Sequence, residues 1–101
     1  GPSWGHFRCT RGYQCAVVLS GLGLALCNQV TVASKGCHDD GSLLEFRDGA
    51  GPHPASVVGA ARQMFVLGVF DAEPAGETLA VCWSHNVSAA AVHVGDFVMQ
   101  G

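Results

Sequence analysis

The sequence predicts a small all-β domain, and three observations support this fold class. Apolar runs rich in Val, Leu, Phe and Thr recur roughly every 10–15 residues, which is a spacing typical of short strands. Gly, Pro, Asp and Asn stand between these runs and favour turns. Five cysteines in a chain of only 101 residues indicate disulfides that supplement a small hydrophobic core.

Seven strands are predicted, at residues 6–9, 15–20, 29–34, 43–46, 63–70, 78–84 and 91–99. A turn at 11–12 separates the first two strands, and two glycines within 21–23 separate the second from the third. The acidic turn at 39–41 precedes the fourth strand, and a Pro-Ala-Gly turn at 74–76 precedes the sixth.

The connection between the fourth and fifth strands is predicted to be a loop that spans residues 49–60, because it contains Pro52 and Pro54. Residues 55–62 have a composition compatible with a helical turn, which Gly59 weakens. Seven short strands joined by such turns in about 100 residues are typical of an immunoglobulin-like β-sandwich. We therefore predict that fold, held by disulfides.

Alternation along the sixth strand predicts which of its faces is buried. Leu79, Val81 and Trp83 are much bulkier than the alternate set, which includes Cys82, so they are placed in the core and Cys82 on the outer face. The expected neighbours of Trp83 are several of Phe65, Leu67 and Val69.

The last strand is predicted to contain a β-bulge. Val92 and Val94 alternate as inward residues, and Gly95-Asp96 then interrupts the pattern. A bulge at this interruption lets Phe97 and Met99 continue on the inner face.

The charge balance and hydropathy exclude two classes of partner. Five Lys and Arg against eight Asp and Glu give a net charge of −3 without a basic cluster, so no nucleic-acid partner is expected. No apolar run approaches the ~18 residues that span a bilayer, so no membrane insertion of this segment is expected. Residues 1–3 are expected to be a leader or a remnant of protease cleavage, and 4–101 a single domain of a larger extracellular chain.

The five cysteines allow two bridges and one free thiol. Cys9 and Cys15 flank a predicted turn and lie six residues apart, which brings their Cα atoms within bridging distance. Cys37 and Cys82 form a second candidate pair, with Cys27 then free in an apolar context, where we expect it to be buried. The rival pair Cys27–Cys37 leaves Cys82 free instead.

The chain offers no recognisable catalytic or metal-binding motif. Cys37, His38, Cys82 and His85 are zinc-ligand types, but they lack the CxxC or HxxxH spacing of zinc sites. A thiol enzyme that uses Cys27 or Cys82 lacks a recognisable base beside the nucleophile. We therefore expect a protein without enzyme activity, metal or cofactor.

Asn86 begins the glycosylation sequon Asn86-Val87-Ser88, directly after the sixth strand. We expect Asn86 at the surface and as a glycosylation site. The sequon and the cysteines together favour a secreted or cell-surface location. His6, His53 and His93 are expected at the surface or in loops rather than as ligands.

Several segments carry a resemblance to a known family: residues 7–17 (FRCTRGYQCAV), 21–24 with 36–37, and 76–83 (GETLAVCW) with 94–97. They resemble an immunoglobulin-like, cysteine-containing extracellular module that is repeated in large secreted or surface proteins of alveolates, including apicomplexan parasites. The resemblance implies the bridges Cys9–Cys15 and Cys37–Cys82, and a role in adhesion or host-cell invasion. Ser84 departs from the C-W-C end of that family's pattern. Residues 21–24 with 30–32 also resemble the TIG/filamin type of immunoglobulin-like repeat.

The function expected from these features is a protein-interaction or spacer module that contacts neighbouring domains of its own protein or a partner protein. The weakly charged surface and the proline-containing loop 49–60 favour contacts there, with Val57 and Val58 as the partner-binding residues. The alternative is a carbohydrate-binding module. Its candidate sugar-stacking residues are Trp4, Tyr13 and Phe46.

Overall fold

A computed structural model describes residues 2–21, 24–25, 27–34, 36–37, 43–59, 61–72, 78–86 and 88–100, apart from the side chains of Val57 and Val58. The predicted turns at 39–41 and 74–76 lie outside this part of the chain. The described residues form an all-β domain, as predicted. Its strands are β1 (Gly5–Thr10), β2 (Gln14–Ser20), β3 (Gln29–Ala33), β4 (His53–Val58), β5 (Arg62–Val69), β6 (Leu79–Ser84) and β7 (Val92–Gln100).

The seven strands form one mixed sheet in the order β1-β7-β6-β3-β4-β5-β2. Only the β1–β7 pair is parallel, and the other pairs are antiparallel. The two end strands approach each other, because Pro2 bridges to Gly21 and the Ser3 amide donates to the Ser20 carbonyl at 2.6 Å. The sheet is therefore curved almost into a barrel. The immunoglobulin-like sandwich stays a prediction.

Strand β4 joins the two halves of the sheet. Its first two residues, His53 and Pro54, pair with β3, whereas Ala55, Val57 and Val58 pair with β5 after a register shift. A proline is compatible with a strand at its start or at an irregularity, where the missing N–H breaks no ladder. The loop predicted at 49–60 is therefore wrong over residues 53–58, which form β4 despite the prolines at 52 and 54. The helical turn predicted at 55–62 is wrong, because residues 55–58 and 62 lie in strands.

The fourth predicted strand, at 43–46, does not form as a regular strand. Leu43 makes a single bridge to Ala33, and Phe46 makes one to Gly49. The Leu44 amide donates to the Val32 carbonyl at 2.7 Å, so this segment covers part of the β3 edge without joining a ladder. The other six predicted strands correspond to observed strands.

The main core contains the inward residues predicted for the sixth strand. Leu79, Val81 and Trp83 are buried there, with Trp83 only 3% exposed. Phe65 and Leu67 belong to the same core, as predicted for the neighbours of Trp83.

The opposite face of β6 is buried as well. Ala80 and Cys82 pack with Ala33 in a second cluster, which Cys37, Leu43 and Ala91 cover in part. Cys82 thus lies on the face away from Trp83, as predicted, but that face is covered by the chain that follows β3. Strand β6 is thus paired at both edges, with β3 and β7, and buried on both faces, and in this sense we call it the central strand.

The last strand contains a β-bulge, as predicted, but the extra residue precedes the predicted Gly95-Asp96. Val81 pairs with Gly95 and Cys82 with His93, so Val94 is an extra residue between them. Phe97 and Met99 are buried beyond it. The placement of Val92 on the inner face is wrong, because that side chain is 55% exposed.

Candidate functional site

Two disulfides hold the domain, and both are the predicted pairs. Cys9–Cys15 joins β1 to β2, the two end strands, and we call the place where they meet the seam of the sheet. The two Cα atoms lie 5.5 Å apart. Cys37–Cys82 joins the segment after β3 to the central strand β6, also with Cα atoms 5.5 Å apart. The rival pair Cys27–Cys37 is wrong. The sulfurs of Cys37 and Cys82 are bonded to each other, so neither cysteine is available as a zinc ligand. For the same reason Cys82 is not available as a nucleophile.

Cys27 is the free cysteine, as predicted, but it is exposed rather than buried. Its neighbour Asn28 is fully buried instead. The apolar residues before Cys27 therefore gave a misleading indication of which side chain turns inward.

A buried polar network fixes the segment before β3, and the sequence interpretation missed it. The Asn28 side-chain oxygen accepts from the Ala25 amide at 2.7 Å and from Gln63 Nε2 at 2.9 Å. The Asn28 side-chain nitrogen donates to the His85 carbonyl at 3.0 Å. The sequence contained an indication of this network. Gln63 lies two residues before Phe65 in β5 and therefore on the same inward face, and a polar side chain at such a position needs a buried hydrogen-bond partner.

His53 is buried at the start of β4, which corrects its expected place at the surface or in a loop. Its ring lies edge-on to Phe46 at 5.5 Å, and its Nε2 atom has no hydrogen-bond partner among the described residues. Burial lowers the pKa of His53 below its ordinary value. The neutral imidazole therefore packs against Phe46 within residues 46–54.

An exposed ion pair connects residues 46–54 to the chain that follows β5. Arg47 donates from Nε and from a terminal nitrogen to the two carboxylate oxygens of Asp71, at 2.9 and 2.8 Å. These hydrogen bonds lower the pKa of Asp71. The pair is solvent-exposed, so its role is to orient the segment rather than to add much stability.

The predicted partner-binding residues lie at the end of β4. The backbone of Val57 pairs with Met64 and that of Val58 with Gln63. Within the described part of the chain, residues 55–58 pair on one side only, because β3 pairs with β4 no further than Pro54. We call the unpaired side of 55–58 the β4 edge.

A second surface feature lies at the β1–β7 pair, and we call it the Trp4 cluster: Trp4, His6, His93 and Asp96. The indole of Trp4 is 55% exposed and its ring centre lies 4.6 Å from that of His93. Asp96 lies between the two histidines, 3.9 Å from His6 Nδ1 and 3.6 Å from His93 Nε2. A shallow cleft of about 510 Å³ adjoins His6 and Asp96.

The three candidate sugar-stacking residues have different environments. Trp4 and Tyr13 are exposed, and Tyr13 is 71% accessible. Phe46 is buried in the core, so its candidacy as a surface platform is wrong.

Asn86 is exposed at the rim of a third feature, the Asn86 cleft, which has a volume of about 370 Å³. The Cys37–Cys82 disulfide lies along this cleft on the outer side of β3 and β6. Apolar contacts come from Leu43, Pro52 and the alanines at 89–91.

Among the described residues, no three His, Cys, Asp or Glu side chains are arranged to hold a metal ion. None of these residues forms a helix that could cross a membrane. Comparisons with protein-family models, with curated proteins and with solved structures found no match. The resemblance to alveolate extracellular modules therefore stays a prediction.

Proposed function

We propose that this chain is a non-enzymatic extracellular module that makes protein contacts or sets spacing within a larger secreted or surface protein. The observation that carries the proposal is the pair of disulfides, one across the seam between the end strands and one onto the central strand. Disulfides persist in oxidising compartments, and small domains with limited cores depend on them. The resemblance to alveolate modules extends the proposal to adhesion or host-cell invasion.

The connectivity of the sheet supports an immunoglobulin-like origin for the fold. In such sandwiches the second, fifth and fourth strands form one sheet, and the third, sixth and seventh form the other. The pairings β2–β5–β4 and β3–β6–β7 follow the same orders. Here β1 pairs with β7 rather than with β2, and neither disulfide spans from β2 to β6, so the proposed relationship is one of topology.

The β4 edge is the proposed contact surface for a neighbouring domain or partner protein. A strand with one unpaired side offers a row of backbone donors and acceptors to a second strand. Lysine side chains on an edge strand commonly discourage pairing with another chain. This chain has only one lysine, at position 35, outside β4. The proposal therefore keeps Val57 and Val58 as partner-binding residues, now as part of a strand edge.

Position-specific photo-crosslinking tests this surface in the protein secreted by its producing cells. A photoreactive residue replaces Val57 or Val58 in turn, so that two successive positions of the strand are tested. The matched control replaces Val92, an exposed valine on β7. We expect a discrete adduct from one of the β4 positions and none from Val92; no adduct at either β4 position would refute the proposed edge contact.

Charge substitution gives an independent test of the same surface. At the position that gives the adduct, substitution by lysine (Val57→Lys or Val58→Lys) should weaken the crosslinked assembly without lowering the melting temperature. Loss of folding in both variants would show that this segment serves the core instead.

A carbohydrate-binding function is the second candidate, and the Trp4 cluster favours it. An exposed indole beside a carboxylate and two imidazoles offers an apolar platform with hydrogen-bonding groups, as sugars require. Titration with a panel of oligosaccharides, followed by tryptophan emission, tests it because Trp83 is buried and Trp4 is not. A saturable change that Trp4→Ala abolishes supports sugar binding, whereas no change with any oligosaccharide removes this candidate.

A further inference from the structure

The side chain of Asn86 is held in a defined orientation by its own turn. Its oxygen accepts from the Ser88 amide at 2.9 Å, and the Ala89 amide donates to the Asn86 carbonyl at 3.2 Å. This local pattern engages the side-chain oxygen of Asn86. The side-chain nitrogen makes no hydrogen bond to the described residues, and Asn86 itself is exposed.

The Asn86 cleft has the mixed chemistry of a sugar-binding surface. Leu43, Ala91 and the Cys37–Cys82 disulfide supply apolar contacts. Gln29 and Thr31 supply donors and acceptors beside them. Its volume of about 370 Å³ lies at the lower end of the range for small-molecule sites.

A ligand attached to Asn86 has an advantage over any free ligand at this cleft. Asn86 lines the cleft, so a group bonded to its side-chain nitrogen is confined to the immediate neighbourhood. Covalent attachment gives a high effective concentration, and weak contacts then suffice to keep the attached group in place. The sequon specifies what that group is, because Asn-X-Ser is the acceptor for N-linked glycans.

We propose that Asn86 carries an N-linked glycan and that its first sugars lie in the Asn86 cleft, over the outer face of β3 and β6. In the transfer, the Asn86 side-chain nitrogen forms a bond to the anomeric carbon of a lipid-pyrophosphate-linked oligosaccharide. The bond from that carbon to the pyrophosphate oxygen breaks, the lipid pyrophosphate leaves, and the nitrogen loses one proton. This inference rests on the proposed extracellular function, since only a chain that enters the secretory pathway meets the transferase and its donor.

The proposal assigns different surfaces to the sugar and to a protein partner. The glycan occupies the face lined by Cys82, Ser84 and Ala91, whereas residues 55–58 of the β4 edge are not part of the cleft lining. The chain's own sugar thus covers the outer face of the central strand, and the β4 edge stays available.

Two substitutions at Ser88 provide the matched test in a secretory eukaryotic host. Ser88→Ala destroys the sequon and Ser88→Thr preserves it, while both leave the backbone amide that Asn86 accepts from. Intact mass and treatment with a peptide N-glycosidase, which converts a glycosylated Asn to Asp, report occupancy at Asn86. We expect glycan mass in the wild type and in Ser88→Thr, and its complete loss in Ser88→Ala.

Magnetic resonance of the glycoprotein, trimmed to its first sugar, then tests the placement. We expect nuclear Overhauser effects between the protons of that sugar and the methyl groups of Leu43, Ala91 or Thr31. A glycan without such contacts overturns the placement in the cleft.

Disulfide mapping of the same sample separates this inference from the proposed function. A secreted protein with both bridges but an unmodified Asn86 overturns the inference and leaves the extracellular function standing. A chain that is not secreted, or that lacks the bridges, overturns both.

Discussion

Trp83 shows how a single side chain anchors this small domain. It lies in the central strand, is 3% exposed, and packs in the main core with Leu79 and Val81. The centres of the Trp83 and His85 rings lie 4.6 Å apart. The backbone carbonyl of His85 accepts a hydrogen bond from the Asn28 side chain. Trp83 thus links the core to the polar network before β3.

Replacing Trp83 by Ala should lower the free energy of unfolding by about 3–5 kcal/mol, because apolar burial is lost and a cavity remains. Trp83→Phe should cost clearly less, since the indole N–H has no partner among the described residues and its removal leaves no polar group stranded. Denaturant unfolding of both variants in a Trp4→Phe background measures this. Equal, small costs for both variants would contradict the core assignment.

His53 should make stability depend on pH between neutral and mildly acidic conditions. Folding lowers its pKa below the ordinary value of 6.5, so the unfolded chain takes up the proton first as the pH falls. The contribution of neutral His53 to the free energy of unfolding is therefore fully present above about pH 6.5, and it declines as the pH falls below that value. The wild type should lose more stability than His53→Phe between neutral pH and pH ~5.

The control for that comparison is the direct titration of His53 by magnetic resonance in the folded wild type. The other histidines are common to both proteins, so their effects cancel in the difference. A folded-state pKa at or above the ordinary value would contradict the burial of this ring.

At the scale of elements, the close approach of β1 and β7 depends on Gly95. A Cβ atom at this position would lie 2.5 Å from the Gly5 carbonyl oxygen and 2.6 Å from the Phe7 ring. Because the nearest atom belongs to the backbone of β1, the parallel pair must shift to accept a methyl group. The bulge in β7 and the pairing of the first strand are thus coupled through one glycine.

Gly95→Ala should therefore lower the free energy of unfolding by about 1–3 kcal/mol, as overpacked sites do. Gly59→Ala is the matched control, since its Cβ would meet only the Arg62 carbonyl oxygen at 3.7 Å. Thermal unfolding of the two variants measures the difference. A Gly95→Ala protein as stable as Gly59→Ala would show that β1 is not packed this closely on β7.

The two disulfides should contribute unequally. In the chain-entropy model the short Cys9–Cys15 loop is worth about 2.4 kcal/mol and the longer Cys37–Cys82 loop about 4 kcal/mol. Replacing both cysteines of each pair by Ala, and comparing the two proteins by denaturant unfolding, measures this. A larger loss from the Cys9–Cys15 pair would indicate that closing the β1–β2 seam matters more than loop length.

The sequence predicted the strands that have a clear apolar pattern and missed those in which local chemistry conflicts with the pattern. Alternation identified the inner face of β6 and, apart from Val92, that of β7, and turn spacing identified the Cys9–Cys15 bridge. Strand β4 was missed because Pro54 indicates a loop, although pairing with β3 and β5 accommodates it. The curvature of the sheet depends on contacts of residues 2–3 with residues 20–21, at its two end strands, which the apolar pattern does not indicate.

The candidate surfaces show the same division. Asn86 was identified from its sequon alone, whereas the cleft beside it arises from the path of the chain after β3 and around 89–91. The exposure of Cys27 follows from the buried network of Asn28 and Gln63, which is a tertiary arrangement.

For the whole molecule, two disulfides hold the domain, and we propose that it resides in an oxidising, extracellular compartment. The sheet closes where Cys9 meets Cys15, and its central strand is fixed to the following segment where Cys37 meets Cys82. Weak charge, with a net value of −3, is compatible with a module whose surface is partly covered by neighbours. The redox state of the native protein in its own cells therefore bears on fold and function together.

The most direct test is to block free thiols in intact cells that produce the protein, and then to map its cysteines by mass spectrometry without reduction. We predict that Cys27 alone carries the blocking group, and that peptides linked through Cys9–Cys15 and Cys37–Cys82 are recovered. Blocking groups on the four other cysteines would contradict the account, because a domain reduced in its native setting is not an extracellular module held by disulfides.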